Sequence, residues 1–262
     1  MGGAERNARK KRQQQQAARA LTQARGGGDT KKIIAIVAGV VVLAALVIGG
    51  VLWTNASKNK TEGQAIPTAG IEAPAAGVVE KRDGVVVTLG KPGAPKTIDV
   101  YADFLCPICG DFEKSYGGQI RQQVNAGQLQ VKYHMVPMLN TRSNPEGYSL
   151  ESANAALAAA DAGKFAQFHD ALFKTQPKEG ARGYDKAQLI KLGQDLGITG
   201  QDFANAVNAG TYDAQLTSEF ENKTAKDPSL EQTFPDGSKG FGTPTVVRDG
   251  KVVDVKAGWL QQ

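Results

Sequence analysis

The sequence of 262 residues predicts an α/β fold preceded by one transmembrane helix. Three observations predict it. An uncharged apolar run lies near the N-terminus, β-rich runs lie at both ends of the remaining chain, and a long stretch of helical patterns separates those ends. Strands combined with helices in this way are typical of a sheet that is covered by helices.

The N-terminal region predicts a membrane anchor. Residues 1–32 hold nine Lys and Arg and two acidic residues, a net charge of +7, so the rest of the chain carries −2 of the total +5. Residues 33–53 have no charge, and a helix of that length spans about 30 Å, the thickness of the hydrocarbon core. The alternative, a signal peptide cleaved after Ala56, has a shorter apolar region than this one.

The charge asymmetry also predicts location and partner. Positive residues flank the cytoplasmic side of a span, so the N-terminus is expected in the cytoplasm and the rest of the chain outside it, in a periplasm or cell envelope. Nucleic acid is not an expected partner, because no aromatic residue interleaves the basic ones and no nucleic-acid fold signature is present. The chain is therefore predicted to be a single-pass membrane protein.

Residues 54–83 predict a linker and residues 84–262 a folded domain. The linker is rich in Ala, Gly, Pro, Thr and Asn and shows no sustained hydrophobic period. Early strands are expected at 85–89, 97–104 and 129–139, and a helix at 107–125 that the Gly117-Gly118 pair weakens.

The second part of the domain predicts helices and then a hairpin. A helical insertion is expected at about 141–235, where Asp185 and Gln188 have the spacing of a capping box. Residues 245–255 predict a β-hairpin around Asp249-Gly250.

The chain has two cysteines, Cys106 and Cys109. A disulfide between them closes so short a loop that it removes little entropy from the unfolded chain, so it is a poor structural bridge. A structural zinc site needs four ligands, and the two histidines, His134 and His169, lie on different predicted elements. We expect no metal and no cofactor, treat both histidines as structural, and assign the cysteines to redox chemistry.

The cysteines follow a predicted strand and open a predicted helix. Cys106 falls near the helix N-terminus, where free N–H groups and the helix dipole stabilise a thiolate. Pro107 suits the first helical position, since it needs no N–H partner there. Cys109 lies one turn further on the same side. We therefore predict Cys106 as the nucleophile and Cys109 as the resolving thiol.

A second motif, Thr243-Pro244, directly precedes the C-terminal hairpin. Proline cannot donate to a central ladder, so it belongs at the entry of a strand. A cis peptide bond is one reason to place proline against an active site, and the sequence leaves the isomer open. Alone, Thr243-Pro244 is a weak indication of an active site, and it is informative only together with the cysteine motif.

These motifs together resemble the DsbA-like branch of the thioredoxin superfamily over residues 84–256. The resemblance implies a thioredoxin-like fold interrupted by a helical subdomain, with a cis-Pro244 loop that faces Cys106 and contacts the substrate chain. It also implies oxidation of thiols in other proteins outside the cytoplasm, and reoxidation by a quinone-linked membrane protein of the DsbB or vitamin K epoxide reductase type.

The chain departs from that pattern at two positions. DsbA carries His before its second cysteine, whereas Ile108 brings no charge here, so a milder oxidant is expected. The buried acid that many thioredoxin-like domains carry six residues before the first cysteine is replaced by Val100. Asp103 and Asp99 are the nearby substitutes, and a solvated Asp103 is the alternative interpretation.

The leading hypothesis is an extracytoplasmic protein thiol–disulfide oxidoreductase that oxidises substrate proteins through Cys106 and Cys109. Thr243 and Pro244 would contact substrate, and Pro107 and Asp103 would support the dithiol. Two alternatives stay open: a membrane-tethered reductase or isomerase, and a non-catalytic module that binds unfolded chains. The reduction potential distinguishes oxidation from reduction, and replacement of Cys106 by Ser distinguishes catalysis from binding.

Overall fold

A computed structural model describes residues 59–255 and 258–261, together with residues 43, 46–48 and 50. The fold below belongs to the compact unit Ser57–Gln262. No helix within these described ranges is long and apolar enough to cross a bilayer. The basic tail and most of the predicted span at 33–53 lie outside the described residues.

The described residues form eight strands: β1 (Val79–Asp83), β2 (Val86–Gly90), β3 (Lys96–Ala102), β4 (Leu129–Met135), β5 (Gln232–Thr233), β6 (Lys239–Gly240), β7 (Thr245–Arg248) and β8 (Lys251–Val252). Six of them make one sheet in the order β1-β2-β4-β3-β7-β8. Strand β4 runs parallel to β3, and the other neighbours are antiparallel. Strands β5 and β6 pair separately. The predicted α/β fold is confirmed.

The two central strands form because their apolar residues alternate. In β3 the buried side chains are Ile98, Val100 and Ala102. The facing residues of β4 follow the same period of two, which is the period of a strand with one face in the core. Strand β3 ends at Ala102, and its C-terminal end leads directly into the turn that carries the cysteines.

The helix after the cysteines is continuous but irregular. Helix α1 (Pro107–Phe112) passes through a π-helical segment, Glu113–Gly117, into α2 (Gly118–Ala126). The predicted weak point at Gly117 is therefore a π turn. A Cβ at Gly117 would lie 2.7 Å from Oε2 of Glu113, so only glycine accommodates that carboxylate without a shift.

The helical insertion lies between β4 and β5. Its helices are α3 (Tyr148–Asp161), α4 (Phe165–Lys174), α5 (Lys186–Asp195), α6 (Gln201–Ala209) and α7 (Asp213–Asn222). Helix α3 is buried along most of its length, because its alanines let neighbouring elements approach closely. The capping box at Asp185 is present, and Asp249-Gly250 adopts the positive φ values of the expected hairpin.

The structure differs from the predicted linker at 54–83. Its last residues form β1, which pairs with β2 along its whole length. Earlier residues pack on the helical insertion: Ile66 is buried, and the Thr61 hydroxyl donates to the carbonyls of Arg182 and Gly183 at 2.9 and 3.0 Å. The polar, Pro-rich composition concealed this packing, because backbone and single side-chain contacts hold the segment without a periodic apolar face.

Candidate active site

The turn between β3 and α1 makes Cys106 the N-cap of the helix. Its backbone is extended, with φ −69° and ψ 116°, and its carbonyl accepts the first helical hydrogen bond from Gly110 N at 3.1 Å. Pro107 occupies the first helical position, as predicted, and needs no N–H partner. Cys106 and Cys109 are both free thiols and both buried, with Cys106 4% and Cys109 0% exposed. The structure therefore shows the dithiol form.

The Cys106 sulfur lies between the helix and the Thr243-Pro244 loop. It accepts from the backbone N–H of Cys109 at 3.4 Å, and its thiol donates to the Thr243 carbonyl at 3.3 Å. The Thr243-Pro244 peptide bond is cis. The two motifs, separated by well over a hundred residues in the chain, thus meet at one sulfur atom.

The donors around the sulfur favour an ionised Cys106, whereas the Thr243 carbonyl can accept only from the protonated thiol. A hydrogen bond from the Cys109 thiol is the largest influence and lowers the pKa of Cys106 from 9.0 to about 7, although burial opposes it. Contacts with Thr243 and the Cys109 N–H add to the lowering. Among the described residues the buried Thr243 Oγ1 has no other hydrogen-bond partner, so its hydroxyl is available to a thiolate. Burial, and then the hydrogen bond with Cys106, raises the pKa of Cys109 well above 9.0.

Asp103 is buried directly before the cysteines. The carboxylate is 1% exposed and accepts hydrogen bonds from Leu105 N at 2.7 Å, Leu139 N at 2.8 Å and the Ser149 hydroxyl at 2.8 Å. Burial raises the pKa of Asp103 to about 6 despite these donors. The interpretation of Asp103 as a solvated side chain is therefore wrong. The side chain fixes the turn, and its charge opposes ionisation of Cys106.

The remaining candidates have partners other than the cysteines. The Asp99 carboxylate accepts a hydrogen bond from Nε2 of His134 at 2.8 Å. Asp99 lies on the face of β3 opposite to that of the buried Val100. His169 is 2% exposed and packs among aromatic rings that include Phe104. Both histidines thus have the packed surroundings expected of structural residues.

Two glutamines that the sequence reasoning missed hold the two sides of the site. Gln176 Nε2 donates to the carbonyls of Phe104 at 3.1 Å and Cys106 at 2.8 Å. Gln232 Nε2 donates to the carbonyl of Gly242 at 3.0 Å in the other loop. No local sequence signal marks either residue, because each acts across a long stretch of chain.

A surface groove adjoins the dithiol. It has a volume of about 570 Å³, and Ile108 and Pro244 lie on it together with Phe234 and Val252. Ile108 is 65% exposed, although it is apolar. The groove therefore places several apolar side chains beside the Thr243-Pro244 loop, whose carbonyl contacts the Cys106 sulfur.

Comparison with known proteins gives a consistent picture. A family model described as "Thioredoxin" matches residues 82–259. In curated sequences, the serine/threonine-protein kinase PknE of Mycobacterium tuberculosis is 37% identical over 121 residues, which are 44% of this chain and 21% of the kinase. The chain thus spans about a fifth of the length of the curated relatives that it matches.

Solved structures match over a larger part of the chain. The disulfide bond oxidoreductase DsbG of M. tuberculosis is 28% identical with a TM-score of 0.53, over 72% of this chain and 85% of that one. DsbA of M. tuberculosis, also 28% identical, has a TM-score of 0.52 over 69% and 86%. The thiol-disulfide oxidoreductase MdbA of Corynebacterium matruchotii, at 24% identity, has a TM-score of 0.59 over 73% and 93%, a likeness of fold.

Proposed function

The chain belongs to the thioredoxin family, and from that premise we propose that it oxidises the thiols of other proteins outside the cytoplasm. The resemblance to DsbA-like proteins is confirmed, and the chain is a DsbA-like protein disulfide oxidoreductase. What we propose beyond this is the oxidising direction, the location, the substrates and the roles of individual residues.

One observation carries the proposal: the two sulfurs have opposite surroundings. Cys106 lies beside the Thr243-Pro244 loop with hydrogen-bond donors that lower its pKa to about 7, whereas Cys109 is fully buried with its pKa raised. At pH 7 about half of Cys106 is then a thiolate, against about 1% for a thiol of pKa 9. A stable thiolate at Cys106 makes the dithiol a good product, and hence the disulfide a good oxidant.

The reaction begins from the Cys106–Cys109 disulfide. A substrate thiolate attacks Sγ of Cys106, the Cys106–Cys109 bond breaks, and Cys109 leaves and takes up a proton. A second substrate thiolate then attacks the substrate sulfur of this mixed disulfide, and Cys106 leaves as a thiolate. Two electrons have passed from the substrate dithiol to the two cysteines. In the reverse sense Cys109 is the resolving thiol.

The Thr243-Pro244 loop and the adjoining groove are the proposed substrate-binding surface. The Thr243 carbonyl is already within hydrogen-bond distance of Cys106 Sγ, so a chain bound beside Pro244 lies next to the reacting sulfur. Backbone groups at such an edge bind many sequences, because they contact the main chain of a ligand. This suits a substrate class of unfolded proteins with free thiols.

The proposed location rests on the N-terminal sequence. A span at 33–53 with the basic tail on the cytoplasmic side would hold the dithiol outside the cytoplasm. The reduced dithiol must return two electrons to an acceptor, for which we propose a quinone-linked membrane reoxidase. After mild reduction, a membrane-impermeant maleimide should label Cys106 in intact cells, and labelling only after lysis would contradict this location.

Trapping and redox potentiometry together test the function. In cells, Cys109→Ala should accumulate mixed disulfides between Cys106 and envelope proteins, and Cys106→Ser in the same background should accumulate none. The reduction potential of the purified chain should lie at about −120 to −200 mV. A value near −270 mV would indicate a reductase, and unchanged client handling by Cys106→Ser would indicate a binding module.

A further inference from the structure

Gln176 reaches from the helical insertion to the turn that carries the reacting sulfur. It lies two residues after the end of α4, and its Nε2 donates to both the Phe104 and the Cys106 carbonyls. Carbonyl oxygens only accept, so the amide nitrogen and not the amide oxygen must face them. The orientation of this side chain is therefore fixed by its two partners.

The Gln176 side chain contacts Gly110, a glycine of the active-site helix. A Cβ built at Gly110 would collide with Oε1 of Gln176, so the amide packs closely against the first turn of α1. Behind Gln176, the Tyr184 hydroxyl donates to the Thr175 carbonyl at 2.9 Å, and Tyr184 is itself buried. The segment that carries Gln176 is thus held by a second contact within the helical insertion.

We propose that Gln176 is a positioning residue, which fixes the first turn of α1 so that the Cys109 N–H stays aimed at the Cys106 sulfur. The inference rests on the proposed function, because it assigns Gln176 a part in the same dithiol chemistry. Gln176 does not act on the sulfur directly. It holds the carbonyl of the N-cap residue, whose sulfur accepts from Cys109 N at 3.4 Å. That bond depends on the direction of the Cys109 N–H, so a rotation of the turn away from the sulfur weakens it.

Two substitutions at Gln176 test the loss of its hydrogen bonds separately from the introduction of a charge. Gln176→Ala removes both hydrogen bonds, whereas Gln176→Glu keeps the shape and sets carboxylate oxygens against two carbonyls. We expect the absorbance of the Cys106 thiolate at 240 nm to titrate about one pH unit higher in Gln176→Ala and higher still in Gln176→Glu. At pH 7 the rate of alkylation by iodoacetamide should fall about fivefold in Gln176→Ala.

The matched control is Gln188, another glutamine whose amide bridges two backbone carbonyls. Its Nε2 donates to Thr61 O at 2.5 Å and Gln64 O at 2.7 Å, on the N-terminal segment and away from the cysteines. Gln188→Ala should shift the urea midpoint of unfolding and leave the Cys106 titration unchanged. If a general loss of stability were enough to change the Cys106 titration, Gln176→Ala and Gln188→Ala would shift that titration in the same way.

The decisive comparison uses the purified full-length chain in detergent. Folded Gln176→Ala and Gln176→Glu variants that titrate like wild type would overturn the proposal. If either substitution prevents folding, Gln176→Asn, whose amide is one methylene too short, provides the same titration. The titration needs no turnover. A wild-type chain that fails to oxidise a dithiol peptide therefore contradicts the proposed function, and the result for Gln176 can still be read.

Discussion

Cys106 and Glu113 lie seven residues apart on one continuous helix, and both are buried ionisable groups. At the N-cap, hydrogen bonds outweigh burial and lower the pKa of Cys106 to about 7. In the π-helical segment, burial is the largest influence and raises the pKa of Glu113, because Oε1 has no hydrogen-bond partner among the described residues. His169 Nε2, 3.7 Å away, is equally without one.

The difference shows that burial alone does not produce a reactive group. Burial penalises charge at both positions, and directed donors overcome that penalty at only one. At Cys106 the largest of these donors is the Cys109 thiol, and a free N–H of the helix N-terminus adds to it. The middle of the helix has no free N–H groups to offer, so Glu113 depends on side chains for compensation.

The largest expected effect is a difference in catalytic activity between substitutions at Cys106 and at Glu113. Cys106→Ser should abolish oxidation of a dithiol peptide, because a serine hydroxyl neither ionises near neutral pH nor forms a disulfide. Glu113→Gln should retain most of the turnover. Oxidation rates measured with excess oxidised glutathione would check both. Comparable losses in the two variants would mean that the middle of the helix takes part in the chemistry.

Asp103→Asn tests how the turn before the helix contributes. The Asn amide nitrogen would face at least one of the N–H donors that the carboxylate now accepts, which costs about 1–3 kcal/mol of stability at low pH. Loss of the charge should also lower the pKa of Cys106 further, since Asp103 opposes its ionisation. Urea unfolding and thiolate absorbance measure these two effects, and an unchanged Cys106 titration would contradict the second.

The pH dependence of this variant has a definite sign. Because the folded pKa of Asp103 is raised from 3.8 to about 6, its contribution to stability is complete below about pH 4 and is lost as the pH rises through 6. Asp103→Asn has no such loss. Its stability deficit relative to wild type should therefore shrink by about 2–3 kcal/mol between pH 4 and pH 8.

Ionisation of Cys106 should make the stability of the fold change with pH in the opposite direction. A folded pKa of about 7 against 9.0 unfolded means that thiolate formation stabilises the reduced fold above about pH 9, and that this stabilisation is lost as the pH falls through 7. Reduced wild type should therefore gain stability over Cys106→Ser between pH 7 and pH 9. Urea midpoints across that range measure the gain, and parallel curves would contradict a lowered pKa.

The smallest expected effect concerns Glu113 itself. Its pKa is raised, so the buried carboxylate destabilises the fold increasingly as the pH rises above 4.5. Glu113→Gln should be more stable than wild type near pH 7.5 by about 1 kcal/mol, and this difference in stability should be smaller near pH 4. Lower stability at pH 7.5 would show instead that the pair with His169 is a net stabilising contact.

Much of the site could be predicted from the sequence because it depends on local chemistry. The N-cap position of Cys106, the place of Pro107 and the one-turn offset of Cys109 follow from a strand, a turn and a helix in that order. Asp103 shows the limit. Its position was recognised, but its burial was not, since the Leu139 N–H and the Ser149 hydroxyl that enclose it come from later parts of the chain.

The sequence alone determined the two central strands, the presence of a helical insertion, the cysteine pair and the second motif at Thr243-Pro244, because periodicity and spacing act over a few residues. Only the tertiary structure decided that Thr243 touches the Cys106 sulfur, that Gln176 and Gln232 hold the two loops, and that residues before Val79 pack on the insertion. Those contacts join residues far apart in the chain, and no local pattern encodes which distant groups packing will bring together.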